Sequence, residues 1–306
     1  MKHLDTLNRR QFLKLTAAIA ASMSFSNSAY SALPQISKSI PKTGEMLPVI
    51  GLGTSRTFDV YDDPEFMNQL LQVMKVFFEE GGGMIDSSPM YGEAQNTIGM
   101  LLQQVKQKNL FSATKVWIEG KEEGIKQMEQ SRKKWGIDRF DLMQIHNLVD
   151  WETQLETINQ MKAEGQLRYT GITTSHGRFH SKLKGLLKNH DFDFLQLTYN
   201  IENEEAEPLL NIAQDKGIAV IVNRPYQRGN LFVHVKSKPV PTWAKDFECT
   251  TWGQFFLKYI VSHPAITCAI PATTKVKHIK DNMQAGKGRL PTHQQRIKMK
   301  RYFQSL

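Results

Sequence analysis

Eight short apolar runs alternate with eight helix-like stretches, a pattern that predicts an α/β fold: a (β/α)8 TIM barrel, a single domain after an N-terminal signal. Strict strand–helix alternation calls for a parallel sheet with helices packed outside it. Most unit-to-unit steps span about 25 to 30 residues, the size of one βαβ unit. Eight such units favour closure over an open sheet, and roughly 275 residues after the signal suit one barrel of this kind.

The chain of 306 residues opens with Arg9-Arg10, then Phe12-Leu13-Lys14 and a soft apolar run over 15–25. This is the pattern of a twin-arginine export signal. Small residues at Ala29 and Ser31 suit cleavage before Ala32. Residues 1–31 are therefore expected to be a signal peptide and 32–306 the barrel. The expected location is periplasmic or otherwise extracytoplasmic, with the twin-arginine machinery as a transient partner. The apolar run is too short to span a bilayer, and no later stretch reaches the ~18 apolar residues of a membrane helix.

Next, residues 37–47 hold Pro41 and Gly44 and predict a small hairpin closing the barrel bottom. The strand runs follow at 49–54, 83–88, 110–115, 140–146, 167–173, 192–200, 217–223 and 266–271. Helices are expected over 64–80, 94–105, 121–134, 151–164, 179–188, 204–216, 251–262 and 276–285, with apolar residues at helical spacing such as Val73, Val76 and Phe77. Glu164-Gly165 and Lys216-Gly217 read as helix stops. Residues 223–250 carry Pro225, Pro239, Pro241 and Gly229 with little periodicity and are expected to form a long loop. A last helix over 291–303 would cap the outside.

Composition narrows the function classes. The net charge is +9. Lys2, Arg9, Arg10 and Lys14 outweigh Asp5 by three in the signal, which leaves +6 for the rest. The basic residues are scattered, and the densest run, Arg132-Lys133-Lys134 beside Glu129, reads as a solvated helix end. Nucleic acid is thus not an expected partner, whereas an anionic cofactor or substrate is compatible. Two cysteines, Cys249 and Cys268, make neither a disulfide framework nor a metal motif; two free thiols are expected, with one bridge as the alternative. His176 and His180 have i,i+4 spacing but span a loop-like stretch, and no metal is expected.

In a (β/α)8 barrel the active site is built at the C-terminal ends of the strands. The second run ends near Asp86, the third in Lys115 and the fourth in His146, while Tyr91 lies in the loop after the second. A lysine in the barrel mouth needs a counter-charge, which Asp86 can supply. A neighbouring ammonium favours a phenolate, so Lys115 is expected to lower the Tyr91 pKa and make a tuned general acid. His146 can donate a hydrogen bond to a substrate carbonyl oxygen. Such an acid still lacks a nucleophile, and hydride from a nicotinamide is the natural missing piece.

The stretches "LPVIGLGTSRTFD", "MIDSSPMYGEAQNTIG", "FSATKVW", "DLMQIHN", "LQLTYN" and "CAIPATTKVKHIKDNM" resemble the aldo-keto reductases in sequence, order and spacing, over roughly residues 45–285. The resemblance implies a (β/α)8 barrel that uses NADPH to reduce an aldehyde or ketone, a small-molecule carbonyl substrate. It implies an Asp-Tyr-Lys-His tetrad at Asp86, Tyr91, Lys115 and His146, with Tyr91 as proton donor. It further implies cofactor contacts at Gly53, Thr54 and Ser55 after the first strand, and at Asp86. Gln196 matches the glutamine that holds the nicotinamide carboxamide. Thr173 and Thr174 stand where relatives usually carry Ser-Asn, and Asn223 where an aromatic often stacks. Arg224 falls in the Arg-Pro of one branch and is, with Asn223, a further cofactor contact that the resemblance implies. Thr273, Thr274 and Lys275 would open a helix whose N-terminus favours a phosphate. His278 falls at a common adenine- or 2′-phosphate-binding position, and Asp281 and Asn282 match a pair that contacts adenine. Lys275 with His278 implies NADPH/NADP+, NADH less so. Phe58, Trp117, Tyr226 and Trp243 are candidate apolar walls. Two rival readings remain: an exported barrel that binds a ligand or partner without turnover, and a sugar epimerase that keeps its cofactor bound.

Overall fold

The computed structural model describes residues 33–60, 62–105, 109–175 and 177–306. The expected signal at 1–31 and His176 of the histidine pair lie outside the described residues. The chain starts with an antiparallel hairpin, β1 (Ser37–Ser39) and β2 (Met46–Pro48). An eight-stranded parallel sheet follows: β3 (Leu52–Gly53), β4 (Met84–Asp86), β5 (Phe111–Val116), β6 (Phe140–His146), β7 (Leu167–Thr173), β8 (Phe194–Thr198), β9 (Ala219–Asn223) and β10 (Cys268–Ala269).

Strand order follows chain order from β3 to β10. The ends then meet: parallel bridges join Ile50 to Ala269 and Gly53 to Ala272, and Gly51 N–H donates to the Ala269 carbonyl at 2.8 Å. The sheet is a closed barrel, so it leaves no edge strand exposed. Gly53 makes the seam possible, because a Cβ there would lie 2.6 Å from the Ile270 carbonyl oxygen.

Helices α1 (Pro64–Glu79), α2 (Ala94–Leu102), α3 (Lys121–Trp135), α4 (Trp151–Ala163), α5 (His180–Asn189), α6 (Glu207–Asp215), α7 (Asn230–His234), α8 (Trp252–Val261), α9 (Val276–Gln284) and α10 (His293–Gln304) complete the order. Their local causes are visible. Asp63 caps α1 by accepting from Phe66 N–H, Pro64 sits in the first turn, and Leu70, Val73, Met74 and Phe77 form its buried stripe. Gly136 closes α3 at φ 65°, a left-handed stop. Helix α6 begins three residues later than the sequence suggests, because Pro208 fits only the first turn.

The expected loop over 223–250 is a correction: it contains short helical turns at Gln227–Gly229, Asn230–His234 and Thr242–Phe247. Leu231, Val235, Ala244 and Phe247 pin them to the core. Turns this short offer too few residues for periodicity to show.

Two apolar layers result. Between sheet and helices lies a continuous layer that includes Val49, Phe77, Ile98, Trp135, Ile172 and Phe256. Inside the barrel, Met84, Phe111, Leu142, Tyr169, Phe194 and Ile221 fill the lower half, and Ile40 and Leu47 of the hairpin plug it from below. Phe111 stacks on Tyr169 at 5.8 Å. The Tyr169 hydroxyl and Arg168 both bond Glu45 at 2.5 Å, which ties the hairpin to β7. Filled below, the barrel can hold a ligand only at its upper rim. Cys249 and Cys268 are free and buried. Among the described residues no helix is long and apolar enough to cross a membrane, and no His/Cys/Asp/Glu cluster could hold a metal.

Candidate active site

Strand register brings the expected residues to one rim. Gly53 pairs with Asp86, Lys115 with Gln144, His146 with Thr173, and Thr173 with Gln196. Above this rim opens a cavity of about 1500 Å³, larger than the ~300–1,000 Å³ of pockets that enclose one drug-sized molecule. Asp86, Tyr91 and His146 line it. So do Gly53, Thr54, Ser55, Thr173, Gln196, Asn223, Arg224, Thr273, His278, Asp281 and Asn282.

Beneath this surface Lys115 Nζ donates to Asp86 Oδ1 at 2.6 Å and to the Ser87 carbonyl at 2.7 Å. The second carboxylate oxygen, Oδ2, accepts from Gln144 Nε2 at 3.0 Å and Gln196 Nε2 at 2.9 Å. Burial alone would lower the Lys115 pKa, but Asp86 and Tyr91 outweigh it and hold it above its ordinary value. The lysine is therefore a cation near neutral pH, held against one carboxylate.

Tyr91 lies over that cation, its ring centre 5.3 Å from Lys115 Nζ. The expected lowering of its pKa is corrected. Burial raises it, Asp86 adds to the rise, and the opposing pull of Lys115 is too weak to reverse the sign. Lys115 therefore does not ionise Tyr91 in advance; it offsets the cost of a phenolate once one forms.

His146 meets Tyr91 edge-on, ring centres 6.1 Å apart. Burial, reinforced by Lys115, pushes its pKa down to about 3, so the ring is neutral near pH 7. Ser88 Oγ lies 3.0 Å from His146 Nδ1 and also accepts from Met90 N–H at 3.2 Å. With an oxygen that accepts from the backbone, the Ser88 proton is free to go to Nδ1. The imidazole proton is then assigned to Nε2. Neither Ser88 nor Gln144 was singled out from the sequence. Ser88 lies beside Asp86 in "DSS" and Gln144 two residues before His146, on the same face of β6, a spacing that could have flagged it.

The remaining expected residues separate into two groups. Gln196, which donates from Nε2 to Asp86, accepts at Oε1 from Thr173 Oγ1 at 3.0 Å and Asn223 Nδ2 at 3.4 Å. Asp281 accepts from Thr251 Oγ1 and Gln254 Nε2, and Asn282 from the Tyr226 hydroxyl at 2.6 Å. By contrast, Thr174, Thr274 and Lys275 do not line the cavity. Thr174 is buried with an unpartnered hydroxyl. Gln69 of α1 holds the Thr274 carbonyl, and Lys275 is exposed just before α9. The cations of this segment that do face the cavity are Lys277 and Lys280. Of the expected apolar walls, Tyr226 lines it. Phe58 is core, Trp117 lies 6.4 Å from His146 outside the lining, and Trp243 packs on Phe247, Phe255 and Tyr302. Met90 and Phe232 line it instead.

The sequence profile of the Aldo/keto reductase family matches residues 49–298. An uncharacterized oxidoreductase of Schizosaccharomyces pombe is 26% identical over 266 residues, 80% of this chain and 83% of that one. Among solved structures, an aldo-keto reductase of Klebsiella pneumoniae in complex with NADPH superposes with a TM-score of 0.72. It is 18% identical, and the match covers 89% of this chain and 95% of that one. The Bombyx mori aldo-keto reductase AKR2E4 in complex with NADP gives a TM-score of 0.71 at 20% identity, over 89% and 94% of the two chains. The profile match spans most of the chain, and this protein belongs to the aldo/keto reductase family.

Proposed function

We propose that this protein reduces an aldehyde or ketone to an alcohol with NADPH, and that Tyr91 gives the carbonyl oxygen its proton. One observation carries the reading: a protonated tyrosine and a neutral histidine face one cavity directly above a buried Lys115–Asp86 pair.

The cavity suits a dinucleotide on its own features. It extends from Tyr91 to the first turn of α9, where Val276, Lys277 and His278 line it. A helix N-terminus with nearby cations favours phosphate groups. Lys277 and Lys280 would take the charge, Asp281 and Asn282 would flank the far end, and Gln196 and Asn223 are the amides near the reaction centre. The relatives solved with NADPH and NADP support the same choice. When bound, NADPH supplies the hydride.

The chain's own residues do the rest. His146 donates from Nε2 to the substrate oxygen and fixes its position. As negative charge grows there, this hydrogen bond strengthens. The Tyr91 hydroxyl then passes its proton to that oxygen. An alcohol is a much weaker acid than a phenol, so the transfer is downhill even with the Tyr91 pKa raised. The phenolate left behind faces Lys115, which stabilises it until solvent returns a proton. Gln144 and Gln196 keep Asp86 in place, so the lysine is not drawn wholly away from the tyrosine.

The purified chain, mixed with NADPH and a panel of aldehydes and ketones, tests this: consumption of the nicotinamide absorbance band with formation of alcohol supports it, and none with any carbonyl contradicts it. Arg9-Arg10 and the apolar run after it further support export by the twin-arginine route to the periplasm. Replacing both arginines by lysine should hold the protein in the cytoplasm in a fractionation experiment.

A further inference from the structure

The loop after β5 is tied down by side chains of the two helices beside it. Gln127 of α3 accepts from Trp117 N–H at 2.7 Å and donates to the Trp117 carbonyl at 3.2 Å. Gln154 of α4 donates from Nε2 to the Ile118 carbonyl at 3.2 Å and to the Gly120 carbonyl at 2.9 Å. Asp150, just before α4, accepts from Gly120 N–H at 2.8 Å. Helix α3 breaks a local rule to allow this. Gly124 lies inside it, where glycine is the poorest helix former after proline. A Cβ there would lie 2.4 Å from Gln154 Oε1 and 2.8 Å from Nε2. The glycine lets the Gln154 amide pass between the helices to the loop, and such local exceptions gather where function needs them.

This fixed loop carries Trp117, whose ring centre lies 6.4 Å from that of His146. The indole stands at the margin of the cavity, just beyond its lining, and is 39% exposed although its main chain is held. On the other side of the reaction centre, Met90 lines the cavity next to Tyr91 and is 44% exposed. Tyr91 and His146 thus lie between two open apolar side chains. In the closed barrel β5 stands opposite β9, and β6 opposite β10. Trp117 therefore lies across the mouth from α9 and from the end that the proposed function gives to the dinucleotide. A rigid aromatic side chain binds at a low entropic cost, provided that the groups behind it hold it in place.

We propose that Gln127 is a positioning residue for the substrate: its two bonds to the Trp117 main chain, backed by Gln154 and Asp150, fix the indole beside His146, where it receives a flat apolar group of the carbonyl compound. This rests on the reductase reading for the chemistry and deepens it by naming the substrate class, an aryl aldehyde or ketone. Gln127 touches neither substrate nor cofactor; it acts through the main chain of Trp117. An aromatic group laid on a fixed indole gains contact energy that depends on ring geometry as well as on buried area. With the indole held, the carbonyl of such a compound is directed at Tyr91 and His146. A small aliphatic aldehyde has no ring to lay there and gains little from the platform.

The test compares 2-naphthaldehyde with propanal in the parent protein, Gln127→Leu, Gln127→Glu and Trp117→Ala. In the parent 2-naphthaldehyde has the higher kcat/KM. Trp117→Ala lowers that preference about tenfold, the loss of one aromatic contact. Gln127→Leu lowers it too, more through KM than through kcat. Gln127→Glu keeps an acceptor for the Trp117 N–H and retains part of it. In protein labelled with 5-fluorotryptophan, the fluorine resonance that Trp117→Phe removes shifts or broadens in Gln127→Leu. Binding of 2-naphthalenemethanol, the product alcohol, by saturation-transfer NMR gives a readout without turnover. If no carbonyl is reduced, alcohol binding that weakens in Gln127→Leu and Trp117→Ala still upholds the platform while the reductase reading fails. A preference that survives Trp117→Ala, or an equal loss on both aldehydes in Gln127→Leu, overturns the proposal. So does a Gln127→Leu protein whose Trp117 resonance and aldehyde preference match the parent, or one that weakens NADPH, read by nicotinamide fluorescence, and leaves the preference intact.

Discussion

Lys115 Nζ lies 2.6 Å from Asp86 Oδ1, with the two side chains only 1% and 3% exposed. A buried pair of this kind is weak as a source of net stability but costly to break, because removal of one partner strands the other charge. Lys115→Met leaves Asp86 with only the Gln144 and Gln196 amides. It should lose about 3 kcal/mol of unfolding free energy, read from denaturant midpoints. The double variant Lys115→Met/Asp86→Asn should regain much of that stability without regaining activity. A single variant as stable as the parent would show that the pair is not buried as described.

In the proposed mechanism the raised Tyr91 pKa sets the pH dependence of turnover. Reduction needs the protonated phenol, so kcat/KM for reduction should stay level from neutral pH up to about 10, the ordinary tyrosine value, and fall only above it. Alcohol oxidation needs the phenolate and should rise over the same alkaline range. An alkaline limb centred well below the ordinary tyrosine value would mean that Lys115 overrides burial after all.

With its pKa pushed down to about 3, His146 carries no charge near neutral pH and contributes no acid limb there. Its tautomer rests on Ser88. Nitrogen-15 NMR of the imidazole should show a protonated Nε2 from pH 5 to 9, a range chosen to bracket the ordinary histidine pKa of about 6.5. Ser88→Ala frees the ring and should lower kcat by up to about 10²-fold, the lower end of what loss of an oxyanion donor costs. A charged imidazolium in that range would contradict the site.

Closure of the barrel depends on Gly53, whose added Cβ would meet the Ile270 carbonyl at 2.6 Å. Backbone cannot rotate away as a side chain can. Gly53→Ala should therefore cost about 1–3 kcal/mol, the usual range for overpacking, and should depress activity by moving Thr54 off the Asp86 carbonyl it bonds at 2.9 Å. Unchanged thermal unfolding would show that the seam is looser than this.

Most of the fold is legible in the sequence because strands covered on both faces read as continuous apolar runs. Runs 140–146 and 167–173 coincide with β6 and β7, and the other six overlap the remaining barrel strands. The turns within 223–250 are not legible, since single apolar anchors such as Leu231 and Phe247 make no period. The rim positions of Asp86, Lys115 and His146 follow from strand ends alone. What cannot be read there is the balance of forces and direction. Burial beats Lys115 at Tyr91, a matter of enclosure rather than spacing. Lys275 precedes α9 and stays outside the cavity wall, whereas Lys277 and Lys280 face it, which depends on where the helix begins. Ser88 and Gln144 are ordinary polar residues until the fold sets them against His146 and Asp86.

The most direct test is the rate of NADPH-dependent carbonyl reduction by the parent protein and by Tyr91→Phe, measured with NADPH binding on the same samples. The phenylalanine keeps the ring over Lys115 and removes only the hydroxyl that carries the proton. Turnover by the parent, with a fall of about 10²–10⁴-fold in Tyr91→Phe and unimpaired NADPH binding, is the expected result. A Tyr91→Phe variant that reduces carbonyls as fast as the parent would contradict the assignment of the proton to Tyr91.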